Sequence, residues 1–147
     1  MKTIFDTATT HDLIARINTL QPDHKARWGK MNAYQMLKHC TLSEEMVLGH
    51  KQYKRLFAGR LFGKMALKGL LKNENPVKKN QPTHPDMKIS GTGNFGEQQT
   101  KWITLLKEYA QFNNETFMHP FFGNMTREQI GSYVYKHTDH HLRQFGA

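Results

Sequence analysis

The stretch from Thr126 to Phe145, TREQIGSYVYKHTDHHLRQF, constrains this chain most. It opens like a helix: Thr126 is a capping residue, and Gln129 stands three positions on, where a capping-box partner belongs. Each residue then turns the helix by about 100°, so one face collects Ile130, Tyr133, Val134, His137, His141, Gln144 and Phe145. That face begins apolar, turns polar midway and ends on Phe145. A helix facing a core should stay apolar, because two inward imidazoles cost desolvation unless something binds them. His137 and His141 are one turn apart, so both rings can reach a single point. Two histidines need that geometry to share a metal ion.

The rest of the chain must bury this face. At 147 residues it reads as one domain, 1–147, large enough for a sizeable core. The first residues hold no apolar run fit for a signal peptide, and no segment approaches the ~18 apolar residues of a membrane span. A single cysteine, Cys40, excludes an internal disulfide framework and a cysteine-cluster metal site. The default reading is a soluble cytoplasmic protein.

Four longer helices and one short one follow from the hydrophobic spacing. The first runs from Thr10 as cap to Leu20, with Leu13, Ile14, Ile17 and Leu20 inward. The second runs from Asn32 to Leu48, with Gln35 completing a capping box and Ala33, Met36, Leu37, Cys40 and Val47 as its stripe. The short third covers Arg60 to Lys72. The fourth covers Gly96 to Phe112 and buries Trp102, Leu105, Leu106 and Tyr109. The last is the histidine helix. Between the third and fourth lies an irregular stretch, Asn73 to Asn94, with three prolines; it is expected to border the pocket mouth. No repeat and no convincing strand alternation interrupts this pattern. The fold class is all-α, a four-helix bundle with a long crossover and one extra short basic helix.

His39 lies on the flank of the second helix's apolar stripe and can turn inward at the seam with the last helix. Three imidazoles from two facing helices would leave open positions on a metal, the arrangement of a catalytic rather than a structural site. Imidazole suits Zn²⁺, Ni²⁺, Fe²⁺ and Mn²⁺, so the donors do not choose among them. His140 rivals His141 but points well off the stripe; His84 and His119 could also approach. His11, His24 and His50 read as surface residues. Cys40 reads as a small buried hydrophobe, and Asp139 points nearly opposite His137.

Three runs, HTDHHLRQF at 137–145, HPFFG at 119–123 and QMLKHC at 35–40, resemble the DinB/YfiT-like metalloenzyme superfamily, and within it a bacterial branch of unknown function. The resemblance covers nearly the whole chain. It implies a DinB-like four-helix bundle whose metal ligands map onto His39, His137 and His141; His119, His140, Tyr133 and Gln144 are expected to line the pocket around them. It also implies a divalent metal cofactor and, by analogy of fold, a low-molecular-weight thiol. Such a site fits a thiol-dependent S-transferase or isomerase acting on a small electrophilic substrate, or a hydrolase; the acid or base is not identified, and Tyr133, Tyr109, His119 and His140 are not ranked.

Formal net charge is +9, and its excess sits in one window. Lys51 to Lys79 carries nine basic residues against Glu74 alone, a net +8. Arg60, Lys64, Lys68 and Lys72 recur every four residues beside Leu61, Phe62, Met65 and Leu70. Those apolar side chains are expected to pack on the bundle or on a second subunit in a homodimer, leaving the lysines to solvate the outside. No nucleic-acid motif accompanies the stripe, so neither nucleic acid nor membrane is an expected partner. The other reading of function is a non-catalytic stress-response or binding protein that uses this basic surface for an anionic partner.

Overall fold

A computed structural model describes residues 1–114 and 117–147. Five α-helices dominate: α1 (Thr7–Asn18), α2 (Ala33–Val47), α3 (Phe57–Leu70), α4 (Phe95–Glu108) and α5 (Arg127–Gln144). A two-residue hairpin, β1 (Met118–His119) against β2 (Gly123–Asn124), precedes α5. The fold is all-α, as the hydrophobic spacing implies. α1 and α2 each pack against both α4 and α5, which closes a four-helix arrangement; α3 lies outside it, against β2.

The helix starts follow from local hydrogen bonds. In α2, Asn32 Oδ1 accepts from Gln35 N (2.8 Å) while Gln35 Oε1 accepts from Asn32 N (3.0 Å). Thr126 and Gln129 make the same reciprocal pair ahead of α5. The start of α1 differs from the expected Thr10: Asp6 is the cap, its carboxylate accepting from Thr9 N (2.8 Å), whereas the Thr10 hydroxyl turns to Ile4 O. α4 ends at Glu108, and a 3-10 turn carries the chain on through Gln111.

α2 is the central element, buried almost continuously from His39 to Val47. Leu13, Ile17, Met36, Leu37, Trp102, Leu106, Val134 and Leu142 meet in one core. Ion pairs tie the outer helices together: Arg16 of α1 reaches Asp139 of α5 (2.9 Å), which Arg143 also holds. Lys136 is buried, and its Nζ donates to Leu70 O and Asn73 O (2.9 and 2.7 Å), satisfying carbonyls that the end of α3 leaves open.

α3 overturns an expectation. Leu61, Phe62 and Met65 face solvent, and Leu70 is only half-buried. The face that packs inward is Gly59, Gly63 and Leu67. A Cβ on Gly63 would overlap the Phe121 carbonyl oxygen, so the missing side chain is what lets the helix lie on the hairpin. Close backbone approach, rather than burial of bulk, chooses the face. The hairpin itself needs Gly123, whose φ of +82° suits a residue without Cβ.

The crossover, residues 71–94, is irregular apart from a 3-10 turn at Pro85–Met87. No helix among the described residues is long and apolar enough to cross a membrane.

Candidate metal centre

His39 on α2 and His137 and His141 on α5 offer ligand nitrogens that all lie within 4.8 Å of one another. His39 and His141 are buried; His137 keeps partial exposure. The i, i+4 spacing on α5 sets its two rings edge to face with centroids 4.7 Å apart, and the His39 ring stands 5.3 and 4.9 Å from them.

Hydrogen bonds decide which nitrogen two of the rings present. His39 Nδ1 lies 3.2 Å from the Met87 carbonyl, which can only accept, so Nδ1 carries the proton and Nε2 a bare lone pair. For His141 the same result takes one more step. Gln144 Nε2 donates to Trp28 O (2.8 Å), which turns the amide oxygen toward His141 Nδ1 (2.9 Å). That Nδ1 therefore donates, and Nε2 is again bare. His137 Nε2 stands 3.3 Å from His39 Nε2. Ligand nitrogens of a tetrahedral zinc site are spaced by about 3.3 Å. His137 Nδ1 is buried with no hydrogen-bond partner among the described residues, so nothing there fixes this third tautomer.

The electrostatics agree with neutral rings. Burial, then the neighbouring imidazoles, hold His137 and His141 well below the usual histidine range. Burial lowers His39 as well, partly offset by its bond to Met87. Lone pairs are thus available at neutral pH, and among the described residues no side-chain carboxylate bonds to these rings. The donor set fits a divalent first-row cation: three neutral imidazoles, two with their second nitrogens already engaged by oxygen acceptors.

The other expected residues fall around this cluster in different roles. The Tyr133 ring stacks on His137 (centroids 5.7 Å, 28°). His119 Nδ1 accepts the backbone N–H groups of Phe121 and Phe122 (3.1 and 3.2 Å). Its proton therefore sits on Nε2, which donates to Tyr133 Oη (3.2 Å). Burial holds His119 down at about 3. Gln144 orients His141. His140 packs on Trp28 and on the edge of His141, outside the converging three. Tyr109 spends its hydroxyl on Glu44. Cys40 is buried, and burial pushes its thiol up, away from nucleophilic use. His84 caps the 3-10 turn through Asp86 N, and so supports the Met87 carbonyl rather than the cluster itself. His24, expected at the surface, is half-buried.

Met87, Trp28 and Glu44 had no place in the sequence reading. The first two act through carbonyls, which every residue carries. Two surface depressions, one beside His50 and Glu108 and one beside Phe5 and Arg127, are not lined by the three histidines.

No curated protein and no solved structure matches the chain. A family model matches residues 4–147, and the chain belongs to that family, whose description is a protein of unknown function, DUF1569.

Proposed function

We propose that this chain is a metalloprotein of the DinB-like type, with His39, His137 and His141 as ligands of one divalent first-row cation and a small-molecule transferase chemistry at that centre. The observation that carries the reading is the convergence of the three rings with Nδ1–H of His39 and of His141 each held by an oxygen acceptor. Two helices impose that arrangement, hydrogen bonds to a carbonyl and to a locked amide set the tautomers of His39 and His141, and burial keeps the rings neutral.

Bound there, a divalent cation would supply Lewis acidity that lowers the pKa of a coordinated thiol or water. The chain's own residues do the rest. Met87 O and Gln144 Oε1 keep the lone pairs of His39 and His141 aimed inward. Tyr133 fixes the ring plane of His137, and His119, neutral and locked in one tautomer, fixes the Tyr133 hydroxyl. Three neutral ligands leave the charge of a divalent ion uncompensated, which favours an anionic fourth ligand. The thiolate of a low-molecular-weight thiol would meet that requirement in a transferase, and hydroxide would meet it in a hydrolase.

Metal analysis of protein purified without an affinity tag tests the reading. The expected result is about one first-row metal per chain, lost in His137→Ala and kept in His140→Ala. Wild-type protein without stoichiometric metal after incubation with Zn²⁺, Ni²⁺, Fe²⁺ or Mn²⁺, or metal retained by His137→Ala, overturns it. Thiol dependence is read separately, from perturbation of the spectrum of the cobalt-substituted protein by glutathione.

A further inference from the structure

Large apolar side chains on the surface are concentrated at one place. Phe57 is 77% exposed, Leu61 63%, Met65 69% and Phe62 53%. Met118, 52% exposed, lies next to them, its sulfur 3.4 Å from the Arg55 guanidinium just before α3. Among the described residues, the only other exposed large hydrophobic is Met1. Phe57, Leu61 and Met65 are spaced i, i+4, i+8, so they form one ridge along α3; Arg60, Lys64 and Lys68 form the next ridge, about 60° round the helix. Contiguous exposed apolar surface rimmed by charge marks an interaction site.

The helix that carries this surface is built before any partner arrives. Gly59 and Gly63 seat it on the Phe121 backbone, and Lys136 holds the carbonyl of its last residue, Leu70, and that of Asn73 just beyond it. Docking would therefore not have to pay the ordering entropy of a disordered segment.

Charge selects the occupant. A second copy meeting this face symmetrically would bring the net +8 of Lys51–Lys79 against itself. A nucleic acid would satisfy the cations and leave Leu61 and Met65 without apolar contact. An anionic bilayer surface satisfies both ridges at once: apolar tips enter the boundary between headgroups and acyl chains, while Arg60 and Lys68 reach lipid phosphates. We propose that the outer face of α3 docks this protein on anionic membrane surfaces as a peripheral protein, with Phe57, Leu61 and Met65 as the inserted ridge. The inference stands independently of any metal bound by the histidines.

The test is co-sedimentation with phosphatidylcholine vesicles, with and without about a third phosphatidylserine. Wild-type protein is expected to pellet with the anionic vesicles and to stay in solution with the neutral ones. Leu61→Ser/Met65→Ser and Arg60→Glu/Lys68→Glu are each expected to weaken that partitioning about tenfold or more. Both pairs change exposed residues, so circular dichroism and melting temperature should match wild type and keep a loss of binding interpretable. As a second readout, Phe57→Trp should show a blue-shifted fluorescence component on addition of anionic vesicles only. Absence of wild-type pelleting with anionic lipid overturns the proposal. So does pelleting that Leu61→Ser/Met65→Ser leaves unchanged, since purely electrostatic adhesion would not need the ridge. A solution dimer that this same double variant dissolves, with no vesicle binding by wild type, would assign the face to a second copy instead.

Discussion

Glu44→Gln tests the electrostatics of the bundle directly. The Glu44 carboxyl is 1% exposed and sits on α2 between α4 and α5. It accepts from Tyr109 Oη (2.5 Å) and, at 3.5 Å, from Thr138 Oγ1. The nearby cations Lys51 and Lys101 go to Glu45 instead. Burial without a cation pushes Glu44 up to about 7 from 4.5, against the pull of its hydroxyl donors. The unfolded chain then releases its proton near 4.5 while the folded chain keeps it to about 7. Glu44 therefore favours folding fully only below pH 4.5, and that contribution is lost as pH rises through 7. At about 1.4 kcal/mol per pH unit, the whole interval amounts to roughly 3 kcal/mol.

Glutamine keeps the volume and an acceptor for Tyr109 but does not titrate. Its amide hydrogens add an offset of about 1–3 kcal/mol if unpaired, which is the same at every pH. The diagnostic quantity is therefore the change in the wild-type-to-variant difference between two pH values. Urea unfolding of both proteins at pH 5 and pH 8, with chelator present, should show that difference moving by roughly 2–3 kcal/mol in favour of Gln at pH 8. The histidines titrate alike in both proteins and cancel. Parallel stability curves would refute a neutral buried Glu44, and movement in the opposite direction would show an ionised carboxylate with a cation partner.

Gln144→Leu removes the acceptor that holds His141 Nδ1 and should weaken metal affinity about 10–100-fold, measured by competition with a chromophoric chelator; an unchanged affinity would show that His141 needs no orienting partner. Acidification should destabilise the metal-free fold: burial lowers His39, His119, His137 and His141, so the unfolded chain takes up protons near 6.5 that the folded chain refuses. Below that pH each contributes a slope of up to about 1.4 kcal/mol per pH unit, read from urea midpoints in a chelated Glu44→Gln background, and a flat profile would refute neutral rings. Gly63→Ala should cost about 1–3 kcal/mol by forcing α3 off the Phe121 carbonyl, whereas Gly69→Ala, which meets nothing, should be neutral or slightly stabilising; equal effects in thermal melts would contradict the packing.

Much of this fold was legible because the deciding interactions are local. Capping boxes act between residues three apart, so Asn32–Gln35 and Thr126–Gln129 mark the starts of α2 and α5 in the sequence itself. The start of α1 was ambiguous for the same reason: Asp6 and Thr10 are both capping residues, and the contact of Thr10 with Ile4 O decides between them. α3 was misread because bulk was taken as the sign of the buried side. Glycine pairs bury backbone, and Gly59 with Gly63, four apart, was the available signal. Glu44 could also have been found, since it completes the stripe of Ala33, Leu37, Cys40 and Val47; a charge on an apolar stripe is as informative as a histidine there. Convergence of His137 and His141 follows from their spacing on one helix. The partners of the rings do not, because Met87 and Trp28 contribute main-chain oxygen from loops that no periodicity locates.

α5 joins these parts, because successive side chains leave it at about 100° intervals. Lys136 reaches the end of α3, His137 and His141 turn to His39, and Asp139 binds Arg16 on α1. A second line of contacts runs from Gly63 to the Phe121 backbone, from Phe121 N–H to His119, from His119 to the Tyr133 hydroxyl, and from the Tyr133 ring to His137. It links the outer helix to the histidines through successive pairwise contacts. Coupling between two sites requires an element with two discrete arrangements that both sites bias. His119 is the link of this line on the hairpin, and with its pKa held at about 3 it stays neutral and in one tautomer at any physiological pH. The hairpin therefore works as a strut: it fixes the distance between the surface of α3 and the ring of His137 and carries no pH signal from one to the other.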